Sequence, residues 1–186
     1  RMHKVRAGRV VLATGTHERP LVYARNDVPG NLVAGAVSTY IRRYGVMPGQ
    51  RLVLSTSNDH AYRAALDWHD AGREVVAIVD ARERPDGDLV AAARSRNIRI
   101  ITGSAVIEAQ GKKRVSAAVV AAIDIDGFRV KGSTSELACD TIASSGGYSP
   151  VIHLAAHTGR RPVWRDDLLG FVSGGVPGQI AAGGAN

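Results

Sequence analysis

The chain has 186 residues, of which 45% are hydrophobic and 22% charged, so it can bury a sizeable core and is too apolar to be disordered throughout. Its net charge of +7 comes from 20 Arg and 4 Lys against 17 acidic residues, and the arginines are scattered, without a basic stripe that carries aromatic residues. We therefore expect no nucleic-acid partner, and an acidic partner subunit or an anionic nucleotide would account for the charge.

The single cysteine and the hydropathy pattern restrict the cellular setting. Cys139 lies in an apolar run, and one cysteine excludes an internal disulfide. No run of about 18 apolar residues would span a bilayer, and the first residues lack the apolar centre of a secretion signal. We therefore expect a cytoplasmic protein with no membrane partner.

Because the chain begins as if in the middle of a strand, we also expect an interior segment of a longer protein.

Three apolar runs of the chain end in small residues. The first, VVLATGTHERP, predicts a fully buried strand followed by Thr14 and Gly15. The second, LACDTIASSGGYSP, predicts a buried strand before Gly146 and Gly147, and the third, PGQIAAGGAN, predicts a strand before Gly183. Glycine at the end of such a strand lets a nucleotide or a crossing chain lie against the backbone. The runs therefore predict a dinucleotide-binding architecture whose opening piece is missing.

The elements predicted for the middle of the chain alternate between strand and helix. In order they are a helix at 32–44 ended by Gly45, a strand at 52–54, a polar loop at 55–59 with Asn58 or Asp59 as helix N-cap, a helix at 61–71 closed by Gly72, a strand at 74–79 ended by Asp80, a helix at 89–96 and a strand at 98–101. Residues 51–80 thus predict a βαβ unit of the mononucleotide-binding kind.

A β-rich stretch follows this unit. It predicts strands at 105–110, 115–125 and 128–131, with a hairpin turn at Asp126-Gly127. The predicted fold is α/β, a Rossmann-like parallel sheet with an antiparallel β meander, which is the three-layer ββα domain of FAD/NAD(P)-binding proteins. We predict strands and a linker of an incomplete first dinucleotide domain at 1–30, a second NAD(P)-binding-like domain at 31–150 and a return segment to the first domain at 151–186.

The loop after the strand at 52–54 is where a dinucleotide would place its pyrophosphate. The usual GxGxxG pattern is absent, and Asp59 would bring a negative charge close to a phosphate. The side chains of Ser55, Ser57 and Asn58 could still donate hydrogen bonds, and the helix N-terminus keeps its positive end. The alternative is that a once-competent loop now serves as a scaffold.

Asp80 lies where an acidic residue would bind a ribose 2′-hydroxyl, which favours NAD over NADP. Arg82 and Arg84 follow directly and could bind a 2′-phosphate or pair with Asp80. The alternative interpretation is a strand-end aspartate that starts a turn. The pairs Thr14-Gly15 and Gly146-Gly147 are candidates for a cofactor border, and the alternative is a chain crossing between two domains. The two interpretations are compatible, because a crossing point often borders a cofactor.

Candidate catalytic and metal-ligating groups are sparse. Only His153 and His157 share helical spacing, and they have no carboxylate or thiol nearby in the sequence, so we predict no metal. No nucleophile elbow or Walker loop occurs, and we identify no catalytic residue.

Four stretches in combination resemble one family. They are VVLATGTHERP, NDVPGNLVAGAVSTYIRRYGVMPGQRLVL, STSNDHAYRAA and SSGGYSPVIHLAAHTG followed by WRDD. Together they are similar to the α subunit of heterotetrameric sarcosine oxidase, over nearly the whole chain from Lys4 onward. Related subunits of opine oxidases, hydrogen cyanide synthase and amino-acid dehydrogenases form a wider circle of resemblance.

This resemblance implies a fragment of a complex that oxidatively demethylates sarcosine to glycine. It implies that NAD is associated with the α subunit, FAD and FMN mainly with the β subunit and its interface, and tetrahydrofolate with a further domain. It implies other sarcosine oxidase subunits as partners, above all the flavin-bearing β subunit. The alternatives are a scaffold that docks this β subunit, or part of a related opine or amino-acid oxidase or of a pyridine-nucleotide-dependent reductase.

The complete set of candidate cofactor-binding residues combines the family pattern with the loop and strand ends. It is Ala13, Thr14, Gly15, Ser55, Ser57, Asn58, Asp80, Gly146, Gly147 and Gly183. The resemblance also implies a first GxGxxG motif before Arg1. The final GGAN replaces the Gly-Asp pair that contacts ribitol in many flavoproteins, which argues against tight FAD binding here.

Overall fold

The computed structural model describes residues 1–124, 126–127 and 130–185. The elements in chain order are β1 (Val10–Leu12), β2 (Thr16–Glu18), β3 (Asn31–Val33), α1 (Ala34–Tyr44), β4 (Arg51–Thr56), α2 (Tyr62–Asp70), β5 (Glu74–Asp80), α3 (Asp88–Ser95), β6 (Ile100–Ile101), β7 (Ser104–Gln110), β8 (Ala117–Ile123), β9 (Val130–Ala138), β10 (Thr141–Ser145), β11 (Tyr148–Pro150), α4 (His153–Ala156), β12 (Val163–Arg165), β13 (Gly170–Val172), β14 (Gln179–Ala181) and a 3-10 helix at Gly183–Ala185.

The chain divides into two compact units. Unit 1 comprises Arg1–Glu18 and Tyr148–Asn186, and unit 2 comprises Arg19–Gly147. Residues 19–30 therefore group with unit 2, whereas the sequence-based boundary lies at residue 30.

Unit 2 is built on a five-stranded parallel sheet with the strand order β3-β10-β4-β5-β6. The central strand β4 is buried on both faces, which explains its apolar sequence. Because side chains alternate along a strand, Leu52 and Leu54 contribute to one hydrophobic cluster and Val53 to another. The predicted βαβ unit is present, with α2 as the helix between β4 and β5.

Each hydrophobic cluster joins the sheet to a different layer. The first contains residues of α1, α2 and α3, including the fully buried Tyr62 and Trp68. The second contains residues of the antiparallel meander β7-β8-β9, including Val106 and Val120. Helices, parallel sheet and meander form three layers, and this confirms the predicted ββα fold class. Gly45 ends α1 in a left-handed conformation with φ of 64°, also as predicted.

Unit 1 consists of short strand pairs. β1 and β14 pair in parallel, β2 and β11 are antiparallel, and β12 and β13 form an antiparallel pair. The prediction that β1 is fully buried is wrong, since Val10 and Val11 are 44% and 62% exposed. The reason is that the pairing of β1 with the three-residue strand β14 covers only one edge of it, and Ile180 on that partner is itself half exposed.

The apolar run at residues 137–145 is two elements rather than one strand. Leu137 and Ala138 close the meander strand β9, and β10 begins at Thr141. The Asp140 carboxylate fixes the corner between them by accepting hydrogen bonds from the backbone N–H groups of Gln50 and Arg51. The predicted strand starting at Phe128 and the predicted strand end at Ile125 lie on residues outside the described part of the chain.

None of the helices within the described residues combines the length and the apolarity needed to cross a membrane.

Candidate functional site

The candidate residues of unit 2 meet at the carboxyl ends of β4, β5 and β10. Ser55 and Thr56 belong to β4 and are buried, so the prediction that the polar loop begins at Ser55 is wrong. Both residues pair with β10 on one side and β5 on the other, and this double pairing keeps them extended. Thr56 lies directly beside Asp80 in this register, which brings the loop close to the end of β5.

Asn58 ties the loop to β10 and to the start of α2. Its amide Nδ2 donates to Ser145 Oγ at 3.0 Å and to the Ser145 carbonyl at 3.3 Å. Its Oδ1 accepts from the backbone N–H of Ala61 at 3.2 Å, which caps the turn that leads into α2. The prediction that Asn58 or Asp59 is the N-cap of this helix is wrong, because α2 begins after Ala61 and Asn58 caps only the turn before it.

The backbone N–H groups of the loop are also used internally. Ser57 donates to the Ser145 carbonyl at 3.2 Å, and Asn58 donates to Thr56 Oγ1 at 3.0 Å. Tyr62 donates to the Asp59 carbonyl at 3.0 Å. In a phosphate-binding turn, N–H groups of this segment would donate to the phosphate, but here they donate to other atoms of the protein.

Asp80 is completely buried and accepts four hydrogen bonds. The Tyr62 hydroxyl donates to Oδ2 at 2.8 Å, and the backbone N–H of Arg82 donates to Oδ1 at 2.9 Å. The Arg82 guanidinium donates through Nε to Oδ1 at 3.0 Å and through Nη2 to Oδ2 at 2.8 Å. A carboxylate offers about four lone pairs, so this set of donors saturates Asp80.

Arg82 joins Asp80 to the loop. Its Nη1 lies 2.7 Å from Asp59 Oδ1, so one guanidinium pairs with two carboxylates. The hydrogen bond to Asp80 raises the pKa of Arg82 above its ordinary value. Burial, followed by the hydrogen bond to Asp80, raises the pKa of Tyr62, which keeps the hydroxyl protonated as a donor. Of the two roles considered for Arg82, the structure shows the pairing with Asp80.

A glycine at the start of α3 accommodates the Asp59 side chain. Gly87 has φ of 133°, and a Cβ atom there would lie 2.6 Å from Asp59 Oδ2. Sequence reasoning missed both Gly87 and Tyr62. For Tyr62, the one available sequence signal is its position at the start of the helix after the loop, which places it near the end of β5. No sequence signal indicates Gly87.

Gly146 and Gly147 lie against a neighbouring stretch of their own chain. Gly146 donates to the Arg19 carbonyl at 2.6 Å, and Arg19 donates to the Gly147 carbonyl at 2.8 Å. A Cβ atom at Gly146 would lie 3.0 Å from Leu21 Cδ2. The observed geometry is a close backbone approach within unit 2.

The candidate residues of unit 1 lie at the carboxyl ends of β1 and β14. Exposed Thr14 donates through its hydroxyl to the Val151 carbonyl at 2.6 Å, and Gly15 accepts from the Val151 N–H at 3.0 Å. Gly15 and Gly183 have φ of 73° and 63°, and a Cβ atom at either would meet no atom of the described chain within 4 Å. Because β1 and β14 are parallel neighbours, the pairing brings Ala13 and these two glycines to the same edge.

The histidines considered as metal ligands lie in unit 1. His153 starts α4, and its ring packs edge-on against His17 with centroids 6.0 Å apart. No group of three or more metal-ligating side chains occurs among the residues described by the structure.

No family model matches the chain. The crystal structure of thioredoxin reductase from T. acidophilum matches 96% of this chain and 57% of that chain with a TM-score of 0.68 and 18% identity. The fold is therefore the one found in FAD/NAD(P)-dependent oxidoreductases.

Two relatives narrow this class to a family. Sarcosine oxidase subunit alpha of Rhizobium meliloti (strain 1021) is 39% identical over 186 residues, covering 100% of this chain and 18% of the relative. The subunit of the same name from Corynebacterium sp. (strain P-1) is 39% identical over 186 residues, covering 98% of this chain and 19% of the relative. The chain belongs to the family of sarcosine oxidase alpha subunits, as the sequence motifs predicted, and spans less than one fifth of either relative.

Proposed function

We propose that this chain is part of the alpha subunit of a multi-subunit flavoprotein oxidase that demethylates sarcosine to glycine in the cytoplasm. The identity of 39% across the whole chain carries this proposal. In this proposal the β subunit and its interface hold FAD and FMN, a further domain of the alpha subunit binds tetrahydrofolate, and the assembly is a heterotetramer. The chain itself contributes a dinucleotide-binding-like frame and no catalytic residue.

Within this frame, unit 2 acts as a scaffold. A pyrophosphate would need free N–H groups at the loop, but those of Ser57 and Asn58 already donate within the protein. A ribose hydroxyl would need a free carboxylate oxygen, but Asp80 is buried and saturated. The Asp59 carboxylate beside the loop would also repel a phosphate. These residues do not fit a dinucleotide as they stand, so this proposal assigns no nucleotide contact to Ser55, Ser57, Asn58 and Asp80, unlike the expectation from the sequence.

Unit 1 offers the better fit for NAD. Gly15 and Gly183 present backbone without a side chain at the carboxyl edge of a parallel strand pair, where dinucleotide-binding sheets accommodate their ligand. Ala13 and Thr14 lie at the same edge and add little bulk. We expect these four residues to border NAD in the complete subunit, where the remainder of the site comes from polypeptide outside this chain.

The test uses the full-length subunit expressed together with its partner subunits. We expect sarcosine-dependent formation of hydrogen peroxide and formaldehyde, and NAD released on denaturation at about one equivalent per complex. A Gly15→Val variant should lose NAD, whereas Ser57→Glu should retain it. A complex that is inactive with sarcosine but oxidises an opine or another amino acid would refute the substrate. Loss of NAD from the Ser57→Glu variant alone would refute the assignment to unit 1.

A further inference from the structure

A groove lies at the amino-terminal edge of the parallel sheet in unit 2, opposite the edge that carries the candidate site. It has a volume of about 520 Å³ and is lined mainly by Pro29, Leu32, Tyr40, Val46, Met47 and Pro48. The first two belong to the entry into β3, Tyr40 belongs to α1, and the last three form the connection from α1 to β4. Of these lining residues, Leu32 and Tyr40 belong to a strand and a helix, and the others come from the connections next to them.

The groove continues as an exposed aromatic surface along α1. Tyr40, Tyr44 and Val46 are 42%, 60% and 49% exposed. The rings of Tyr40 and Tyr44 are in contact with centroids 6.4 Å apart, and the Arg43 guanidinium lies 5.7 Å from the centre of the Tyr44 ring. Tyrosine, methionine and arginine are the residue types enriched at protein interfaces. These residue types are therefore concentrated in the groove and on the adjoining surface of α1.

The rim of the groove is basic. Arg114 lines it, is exposed, and follows Lys112 and Lys113 in the turn between β7 and β8, while no acidic residue is among the lining residues that the structure describes. The Asp140 carboxylate at this edge of the sheet is bound to the backbone N–H groups of Gln50 and Arg51. Neither Arg114 nor Arg43 forms an ion pair within the described part of the chain, so both positive charges are available to a partner.

We propose that this groove receives an acidic segment of a partner subunit, in which an apolar side chain fills the groove and flanking carboxylates face Arg43 and Arg114. The proposal rests on the proposed function, because it assumes that the chain works within a multi-subunit oxidase. A second copy of this chain is a poor occupant, since two chains of net charge +7 would oppose basic rims to each other. Charge complementarity instead requires a partner of opposite sign.

Two matched variants of the full-length subunit test the proposal in the complex. Val46→Glu places a carboxylate in the groove, and Val130→Glu makes the same change at a residue of unit 2 that is outside the groove and equally exposed, at 50% against 49%. We expect Val46→Glu to weaken binding of the partner subunit at least about tenfold, as for a central interface residue, and Val130→Glu to leave it unchanged. Thermal unfolding of each variant subunit checks that both remain folded.

An Arg114→Glu variant provides a second measurement that does not depend on packing. It should weaken the complex and flatten the dependence of the dissociation constant on salt concentration, because it removes a charge pair that salt screens. Hydroxyl-radical labelling of Tyr40 and Tyr44 should be strong in the free subunit and weak in the complex.

The outcomes separate the two proposals. If the wild-type subunits form no complex, the proposed function fails and this inference falls with it. If the complex forms and Val46→Glu behaves like Val130→Glu, the groove is not the docking site and the proposed function stands. If Tyr40 and Tyr44 are already protected in the free subunit, a segment of the same polypeptide covers the groove, and the partner-subunit assignment is overturned.

Discussion

Replacing Arg82 by methionine would leave the buried Asp80 carboxylate without its charged partner. The Asp80 side chain is 0% exposed. The substitution removes the two hydrogen bonds from the guanidinium to Asp80 and its ion pair with Asp59, while the Tyr62 hydroxyl and the backbone N–H of residue 82 still donate to Asp80. Removing one partner of a buried ion pair costs about 3–5 kcal/mol. Because the Arg82 side chain is 33% exposed, water can reach part of the vacated volume. We therefore expect a loss of about 3 kcal/mol, at the lower end of that range.

A second arginine in the same sheet supplies the control. Arg51 binds Glu74 through the same two-pronged geometry, at 2.8 and 3.2 Å, but the two side chains are 44% and 54% exposed. Water and salt screen an exposed pair, so Arg51→Met should leave the free energy of unfolding nearly unchanged. Urea unfolding of the chain, followed by circular dichroism, gives both values if the slope is unchanged. A loss for Arg82→Met no larger than that for Arg51→Met would refute the role of the buried network.

Three further predictions use the same unfolding assay or a simple chemical probe. Tyr62→Phe should cost about 1.5–3 kcal/mol, because it removes a buried hydrogen bond to the charged Asp80, and a change below 0.5 kcal/mol would contradict the geometry. Gly87→Ala should destabilise the chain by about 1–3 kcal/mol, because φ of 133° disfavours a side chain, whereas Gly8→Ala, where a Cβ atom would meet no described atom within 4 Å, should be close to neutral. Burial raises the pKa of the Cys139 thiol from 9.0 to about 12, so a disulfide reagent at pH 8 should label it only after unfolding. Rapid labelling of the folded chain would contradict this prediction, because it would show the thiol to be accessible. Since the pKa of the thiol is higher in the folded state, its contribution to stability is complete below pH 9 and is lost as the pH rises toward 12.

Part of the parallel core of unit 2 follows from local sequence patterns. Strand β3 does not, because the sequence predicts a helix from Leu32, whereas Leu32 and Val33 belong to β3 and the helix begins at Ala34. β4 and β5 are short apolar runs between turn residues, and Gly45 and Gly72 end the preceding helices with positive φ, as their positions predicted. The sequence predicts strand β9 only at its two ends, because along its length only Leu137 is buried and the middle is polar and exposed. A polar edge strand carries no hydrophobic signal from which a sequence pattern could be identified.

The network around Asp80 was only partly predictable. Its position at the strand end and the pairing option for Arg82 were readable from the order of residues. The Tyr62 hydroxyl comes from a residue 18 positions away, and its direction depends on how α2 packs on the sheet. The candidate cofactor-binding residues of unit 1 and of unit 2 also look alike in sequence, because in both units they are small polar residues or glycines at the end of a strand. Only the three-dimensional structure distinguishes Gly146, which lies against Leu21, from Gly15, which has open space beside it.

Calorimetric titration of the 186-residue chain with NAD and with NADP tests most directly whether unit 2 is a scaffold closed by its own side chains. We predict that the loop after β4 contributes no heat of nucleotide binding. The wild-type chain and its Ser57→Glu variant should therefore give the same titration curve. Micromolar binding of either nucleotide that Ser57→Glu abolishes would contradict the account.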